Sequence, residues 1–293
     1  RQRMLKNVLL VGATGFLGSH LLKAMIKTGH EVTILKRVSS DITRIVSEID
    51  KYHSFDVPET PLKTIFSTYQ FDAVCHCATV YGREGAQTSQ VLEGNLLFPI
   101  DILENAIQNG CKYFVNTDTF FCKQLPNRLH HNEPIYMPDY TLTKHQFQEW
   151  GHLRANQGSI NFINLRMEHI YGPNDSLGKF VPWVESQLQN NAPSLELTDG
   201  IQIRDFVYVD DVVDVFLDIL KKIHSLRGFI SYDVGSGQAV SVRQFVENMK
   251  ERMQASTQLN FGSLPRREEE IMYSKASSNS PYAMINFKSA ECK

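Results

Sequence analysis

Tyr140 and Lys144, in the run YTLTK, are spaced as neighbours one turn apart on a helix. A tyrosine can give its proton to a carbonyl oxygen that gains charge during reduction, but its hydroxyl normally titrates at about 10. To be poised near neutrality it must fall by about two to three units, which asks about 3 to 4 kcal/mol of its surroundings, and a lysine ammonium at i+4 can supply much of that. Thr117, in NTDTFF at the end of a β-branched run, offers a second hydroxyl to bind the same oxygen and align it for Tyr140. The three suit hydride reduction of a ketone with protonation of the resulting oxygen. The pair alone says little, since with 11 tyrosines about one Y-x-x-x-K arises by chance. Its weight comes from what precedes it, and Thr117 taken singly is most simply a strand-end hydroxyl.

What precedes it is Gly12, Gly15 and Gly18 in VGATGFLGSH, set between the strand-like NVLLVGA and the apolar GSHLLKAMIKTG. The first glycine permits a turn that a Cβ would block, the second lets backbone approach a pyrophosphate, and the third lets the helix pack closely. The helix start adds N–H donors and a positive dipole. Thr14, Phe16 and Leu17, within the same loop, are expected on the dinucleotide as well. An NAD site usually has an acid about twenty residues further on, reading the ribose hydroxyls. Here stand Lys36 and Arg37, followed by Ser39 and Ser40, with Asp41 the nearest acid. Cations beside hydroxyls suit a 2′-phosphate, so NADPH/NADP is the expected cofactor; two solvated surface cations are the plainer alternative. Asp56, ending HSFDV, is expected near the adenine, although an ordinary strand-end aspartate explains it almost as well.

The elements that must position these residues are legible too. EVTILKR, FDAVCHCA, KYFVNT and INFINLR read as strands alternating with amphipathic stretches such as EGNLLFPIDILENAIQNG and DDVVDVFLDILKKIHS. Strand, helix, strand with short connections implies an α/β fold: a doubly wound parallel-sheet Rossmann domain. From YGPNDSLGKF onward Pro, Gly and Asn become commoner, which implies a smaller C-terminal substrate lobe. The expected division is 4–170 plus 206–234 for the dinucleotide domain and 171–205 plus 235–293 for the lobe, with SYDVGSG lending a strand to the sheet.

Thirty Lys and Arg balance 32 Asp and Glu, a net charge of -2, so no broad basic field exists to hold nucleic acid or an anionic membrane. The 5 cysteines have no zinc-type spacing and are odd in number, which fits a reducing, cytoplasmic setting. Cys75, His76 and Cys77 alternate along a buried strand and cannot readily converge on a metal, so no metal is expected. Met4 reads as the natural start behind three added residues, with no leader or membrane span after it.

Gly12 to Gly18, Thr117, Tyr140, Lys144, NLRMEHIYGP and IRDFVYVDD together resemble the extended short-chain dehydrogenase/reductase family, over nearly the whole chain. The resemblance implies an enzyme acting on nucleotide sugars. It implies that Ala78 and Thr79 line the cofactor and that Tyr140 and Lys144 reach the nicotinamide side. It places Arg204 on the substrate diphosphate, with an ion pair to Asp205 or a neighbour as the alternative, and Arg267 beside it, with Arg266 equally open. Asp118 is expected on the substrate next to Thr117, and Glu168 and His169 at the start of a nicotinamide-side loop. The reaction implied is NADPH-dependent reduction of the 4-keto group of CDP-4-keto-3,6-dideoxy-D-glucose, toward a dideoxyhexose of the O-antigen kind, by a homodimer. The alternatives are the opposite C4 stereochemistry, a 4-epimerase that keeps NAD bound, and a dinucleotide-binding sensor or scaffold. Thr119 stands where dehydratases of the family carry glutamate, which argues against loss of water. The closing SKASSNSPYAMINFKSAECK lacks the family's Leu-Gly-Trp turn.

Overall fold

Parallel strands buried on both faces need nearly continuous apolar runs, and NVLLV meets that need: Val8 to Val11 are buried throughout. In the computed structural model, which describes residues 5–83 and 85–283, this run is β1 (Asn7–Val11). With it come β2 (Glu31–Lys36), β3 (His53–Asp56), β4 (Ala73–His76), β5 (Tyr113–Thr119), β6 (Asn161–Met167) and β7 (Phe229–Val234). They form one seven-stranded sheet in the order β7-β6-β5-β4-β1-β2-β3. The register is parallel for β1 with β2 and β4, for β2 with β3, and for β4 with β5. This is the doubly wound sheet expected from sequence. Its order reverses between β1 and β4, so the loops leaving these two strands sit side by side, where open α/β sheets bind ligands. Met4 and the last part of the closing segment, with Cys292, lie outside the described residues.

The chain divides into two compact units. The first runs to Cys122 and includes Met137–Arg166 and Val213–Tyr232; the second comprises Lys123–Tyr136, Met167–Val212 and the chain from Asp233 onward. In the first, helix α1 (Phe16–Lys27) follows β1, and helix α2 (Pro138–Asn156) carries Tyr140 and Lys144. Pro138 at the helix start and Asp139 in its first turn fix where α2 begins. Phe147 of α2 packs edge-on against Phe114 of β5 at 5.6 Å and Phe162 of β6 at 5.8 Å. Gly151 lets the helix come this close, since a Cβ there would lie 2.3 Å from the Phe162 ring. Along the same helix Phe147 is buried and Trp150 is 44% exposed. The second unit has its own core, where Phe206 and Phe245 stack at 3.8 Å amid Tyr171, Val184 and Leu188. Among the described residues no helix is long and apolar enough to cross a membrane.

Candidate active site

The Tyr140 ring sits between Tyr81, at 5.1 Å, and the edge of Phe121, at 5.7 Å. Its hydroxyl makes a hydrogen bond with the side chain of Thr119. Thr119 Oγ1 also accepts from the Phe121 N–H at 3.2 Å, which leaves its own proton free to turn to Tyr140. Thr117, expected in this place, donates instead to Cys77 Sγ at 3.5 Å. β5 runs as far as Thr119, which sets a second threonine hydroxyl at the strand's tip.

Asp118 faces the interior, with its side chain 1% exposed. Its carboxylate accepts from Thr119 N at 2.7 Å, Asn164 Nδ2 at 3.0 Å and Cys122 Sγ at 3.3 Å, and Arg166 Nε lies 3.6 Å away. Lys144 is buried: burial lowers its pKa, and the nearby charge of Asp118 acts in the opposite sense. Burial, then the neighbouring Tyr81, push the Tyr140 hydroxyl up, against the pull of Thr119. The phenol is therefore held protonated, rather than drawn toward neutrality as the lysine spacing suggested.

Asn95 ties this helix to the strap that follows β4. Its side chain accepts from Val80 N and donates to Val80 O, both at 2.7 Å, and also donates to Thr143 Oγ1 at 3.2 Å, one residue before Lys144. It lies in a single π-helical turn, Glu93–Leu97, a feature that often marks functional sites. The sequence reading passed over Asn95 and took Thr119 only as the residue in place of a dehydratase glutamate; following YFVNTDT to its end as strand was the signal available for the latter.

The glycine loop is built as expected. Gly12 has φ +94, and a Cβ on it would lie 2.4 Å from Ala78 N; one on Gly18 would lie 1.9 Å from Gly12 O. Gly15 precedes α1 in extended conformation, and no side chain caps the helix start, with Phe16 its first residue and Leu17 next. Thr14 and Gly15 thus lead into a helix start that no side chain caps. Thr79 Oγ1 is buried without a hydrogen-bond partner. A backbone cradle, an uncapped helix start and an orphaned hydroxyl beside Ala78 fit a dinucleotide. Further along, Lys36 Nζ lies 2.5 Å from Asp56 Oδ1, so two expected cofactor residues are paired with each other. Arg37 and Ser39 are exposed.

Arg204 and Arg267 belong to the second unit. Arg204 Nη2 pairs with Glu270 at 2.7 Å, the ion-pair alternative with a different acid, because Asp205 accepts from Ser236, Gly237 and Ala276. Arg267 donates to Tyr136 Oη at 3.1 Å, while Arg266 pairs with Asp199 at 3.0 Å. Both arginines line a recess of about 490 Å³ with Asp199, Leu264 and Glu268. Glu168 is buried between Lys123 Nζ at 2.5 Å and Ser274 Oγ at 2.6 Å. Among the described residues no group of three or more His, Cys, Asp or Glu could hold a metal.

Two buried histidines set a pH limit. His76 is lowered to about 3 by burial and then by the Lys144 charge, and His169 to about 3 by burial and then by Arg204. Each takes up a proton near pH 6.5 once unfolded, so above that value they do not alter stability. As pH falls from about 6.5 toward 3, each removes up to about 1.4 kcal/mol per pH unit. Urea midpoints measured between about pH 7 and 5 should fall accordingly; a flat profile would mean that the folded chain accepts both protons.

Comparison with known proteins extends this geometry. The profile of the NAD dependent epimerase/dehydratase family matches residues 8–235. A CDP-abequose synthase of Salmonella typhimurium is 34% identical over 280 residues, covering 94% of this chain and 91% of that protein. Among solved structures, a UDP-N-acetylglucosamine 4-epimerase from Methanobrevibacter ruminantium M1 superposes with a TM-score of 0.80 at 20% identity, covering 94% of this chain and 91% of its own. A Thermus thermophilus UDP-glucose 4-epimerase in complex with NAD does so at 0.71 and 21%, covering 91% and 88%.

Proposed function

Because the chain belongs to the NAD dependent epimerase/dehydratase family, we propose that it is an NADPH-dependent reductase of a nucleotide-linked 4-keto sugar. Its substrate in this reading is CDP-4-keto-3,6-dideoxy-D-glucose and its product CDP-abequose. The substrate rests on the likeness to a CDP-abequose synthase along nearly the full length of both chains. The proton-donor role rests on one observation: Tyr140 is buried and hydrogen-bonded to Thr119, with burial pushing its hydroxyl up, as suits a group that gives a proton.

The glycine loop, Ala78 and Thr79 would hold the dinucleotide, which supplies hydride to carbon 4 when bound. Tyr140 gives its proton to the C4 oxygen. The Thr119 hydroxyl would stabilise the phenolate left behind; Lys144, one helical turn further on, would add its charge, which Asp118 supports from the interior. Arg204 and Arg267 are the candidates for the diphosphate, matching a guanidinium fork to phosphate oxygens; Glu270 must then release Arg204.

Thr119→Val should lower kcat about 100-fold with little change in NADPH affinity, whereas Thr117→Val should cost only about a few-fold. Equal losses would return the role to Thr117. The function itself is tested by mixing the protein with CDP-4-keto-3,6-dideoxy-D-glucose and NADPH, following nicotinamide absorbance and taking a proton NMR spectrum of the product. An axial 4-hydroxyl supports the proposal and an equatorial one gives CDP-paratose. NAD that stays on the protein through gel filtration, without NADPH turnover, would favour a 4-epimerase. Leu142, Trp150 and Leu153 of α2 are each more than 40% exposed, which supports a homodimer through this helix, to be checked by light scattering.

A further inference from the structure

Of the two cations at the end of β2, the first, Lys36, is already engaged. Lys36 and Asp56 face each other in the register of β2 and β3, and their charges meet at 2.5 Å. A neutralised ammonium is a poor reader of phosphate. The segment beyond it folds back toward the glycine loop. Arg37 N donates to Ser40 Oγ and Ser40 N to Arg37 O, both at 3.0 Å, closing a turn at the end of β2. Ile45 is fully buried and anchors the other end. Next to it, Arg44 Nη1 donates to Thr14 O at 3.1 Å, which sets a guanidinium on the glycine loop itself. Asp41 is the acid that feels the Arg44 charge, but its carboxylate is turned to Thr43 N and Oγ1, at 2.9 and 2.5 Å.

In dinucleotide folds the adenosine 2′ position lies by the end of the second strand, close to the glycine loop. We propose that Arg44, with Arg37, reads the 2′-phosphate of the cofactor, and that the Lys36–Asp56 pair does not. The inference rests on the NADPH reading above. Arg37 approaches from the strand end and Arg44 from the loop. A planar guanidinium suits two phosphate oxygens at once, which a lysine cannot match.

Calorimetric titration with 2′,5′-ADP and with 5′-AMP, which differ only by the 2′-phosphate, tests this without any sugar substrate. The unaltered chain should prefer 2′,5′-ADP by about 10-fold or more. Arg44→Met should cut that preference about 10-fold while leaving AMP affinity in place, and Arg37→Met should act in the same direction. The double variant Lys36→Met with Asp56→Asn should keep the preference within about twofold. Arg44→Lys should recover part of it, which covers the case of a Met variant that folds poorly. The proposal is overturned if Arg44→Met weakens both ligands equally, making Arg44 a strut of the loop, or leaves both unchanged. Loss of preference in the Lys36/Asp56 double variant overturns it as well. An unaltered chain that binds both ligands alike removes the NADPH reading itself, and this proposal with it.

Discussion

Replacing Tyr140 by Phe is expected to lower kcat about 1000-fold, about 4 kcal/mol in the barrier, while the Kd for NADPH stays within about twofold. The change removes one oxygen and little else. The ring keeps its contacts with Tyr81 and Phe121, and Phe is at home in a site that is only 8% exposed. The proton for the C4 oxygen must then come from water, in a place where Thr119 has lost its partner. Stopped-flow turnover beside a fluorescence titration of NADPH separates the two quantities. A comparable loss in both would show that Tyr140 holds the cofactor rather than the proton.

The second large effect lies in the loop. Gly18→Ala adds a Cβ 1.9 Å from Gly12 O, 2.6 Å from Gly12 C and 2.9 Å from Ala13 Cα. All three are backbone atoms, so the clash is relieved only by moving α1 off β1 or by opening the cradle. A cost of about 3 kcal/mol is expected, seen as a fall in Tm of about 10 °C, with dinucleotide affinity reduced about 100-fold or more. Gly15→Ala is the control: its Cβ would meet only Gly12 O, at 3.4 Å. Thermal unfolding and calorimetry of the two variants should differ sharply. Equal behaviour would mean that the loop yields more easily than its packing implies.

What the sequence disclosed and what it withheld divide along a physical line. Gly12, Gly15 and Gly18 could be read because a turn that excludes Cβ is a local demand. Tyr140 and Lys144 could be read because helical spacing is local too. Thr119 was read only as the residue in place of a glutamate, because the sequence does not show that β5 continues three residues past its pairing with β4, which ends at Asn116. The Lys36 charge was visible, but its neutralisation arises from a register between β2 and β3 set 20 residues apart. Arg204 meets an acid 66 residues away, a distance at which adjacency to Asp205 in sequence says nothing. Asp118 was expected on the substrate from the family resemblance. Strand alternation turns it inward, to Asn164 and Arg166.

Asn95 holds Val80 by both its amide and its carbonyl and holds Thr143 with the same carboxamide. In surveying language, the strap carrying Thr79 and the helix carrying Tyr140 and Lys144 are measured from one benchmark, not from two whose errors add. When the helix drifts, the strap drifts with it. A ligand lying against Thr79 would therefore keep its distance from Tyr140 through motions that displace both. Three hydrogen bonds on one side chain thus tie strap and helix together, and a substitution there should blur the alignment before it unfolds the protein.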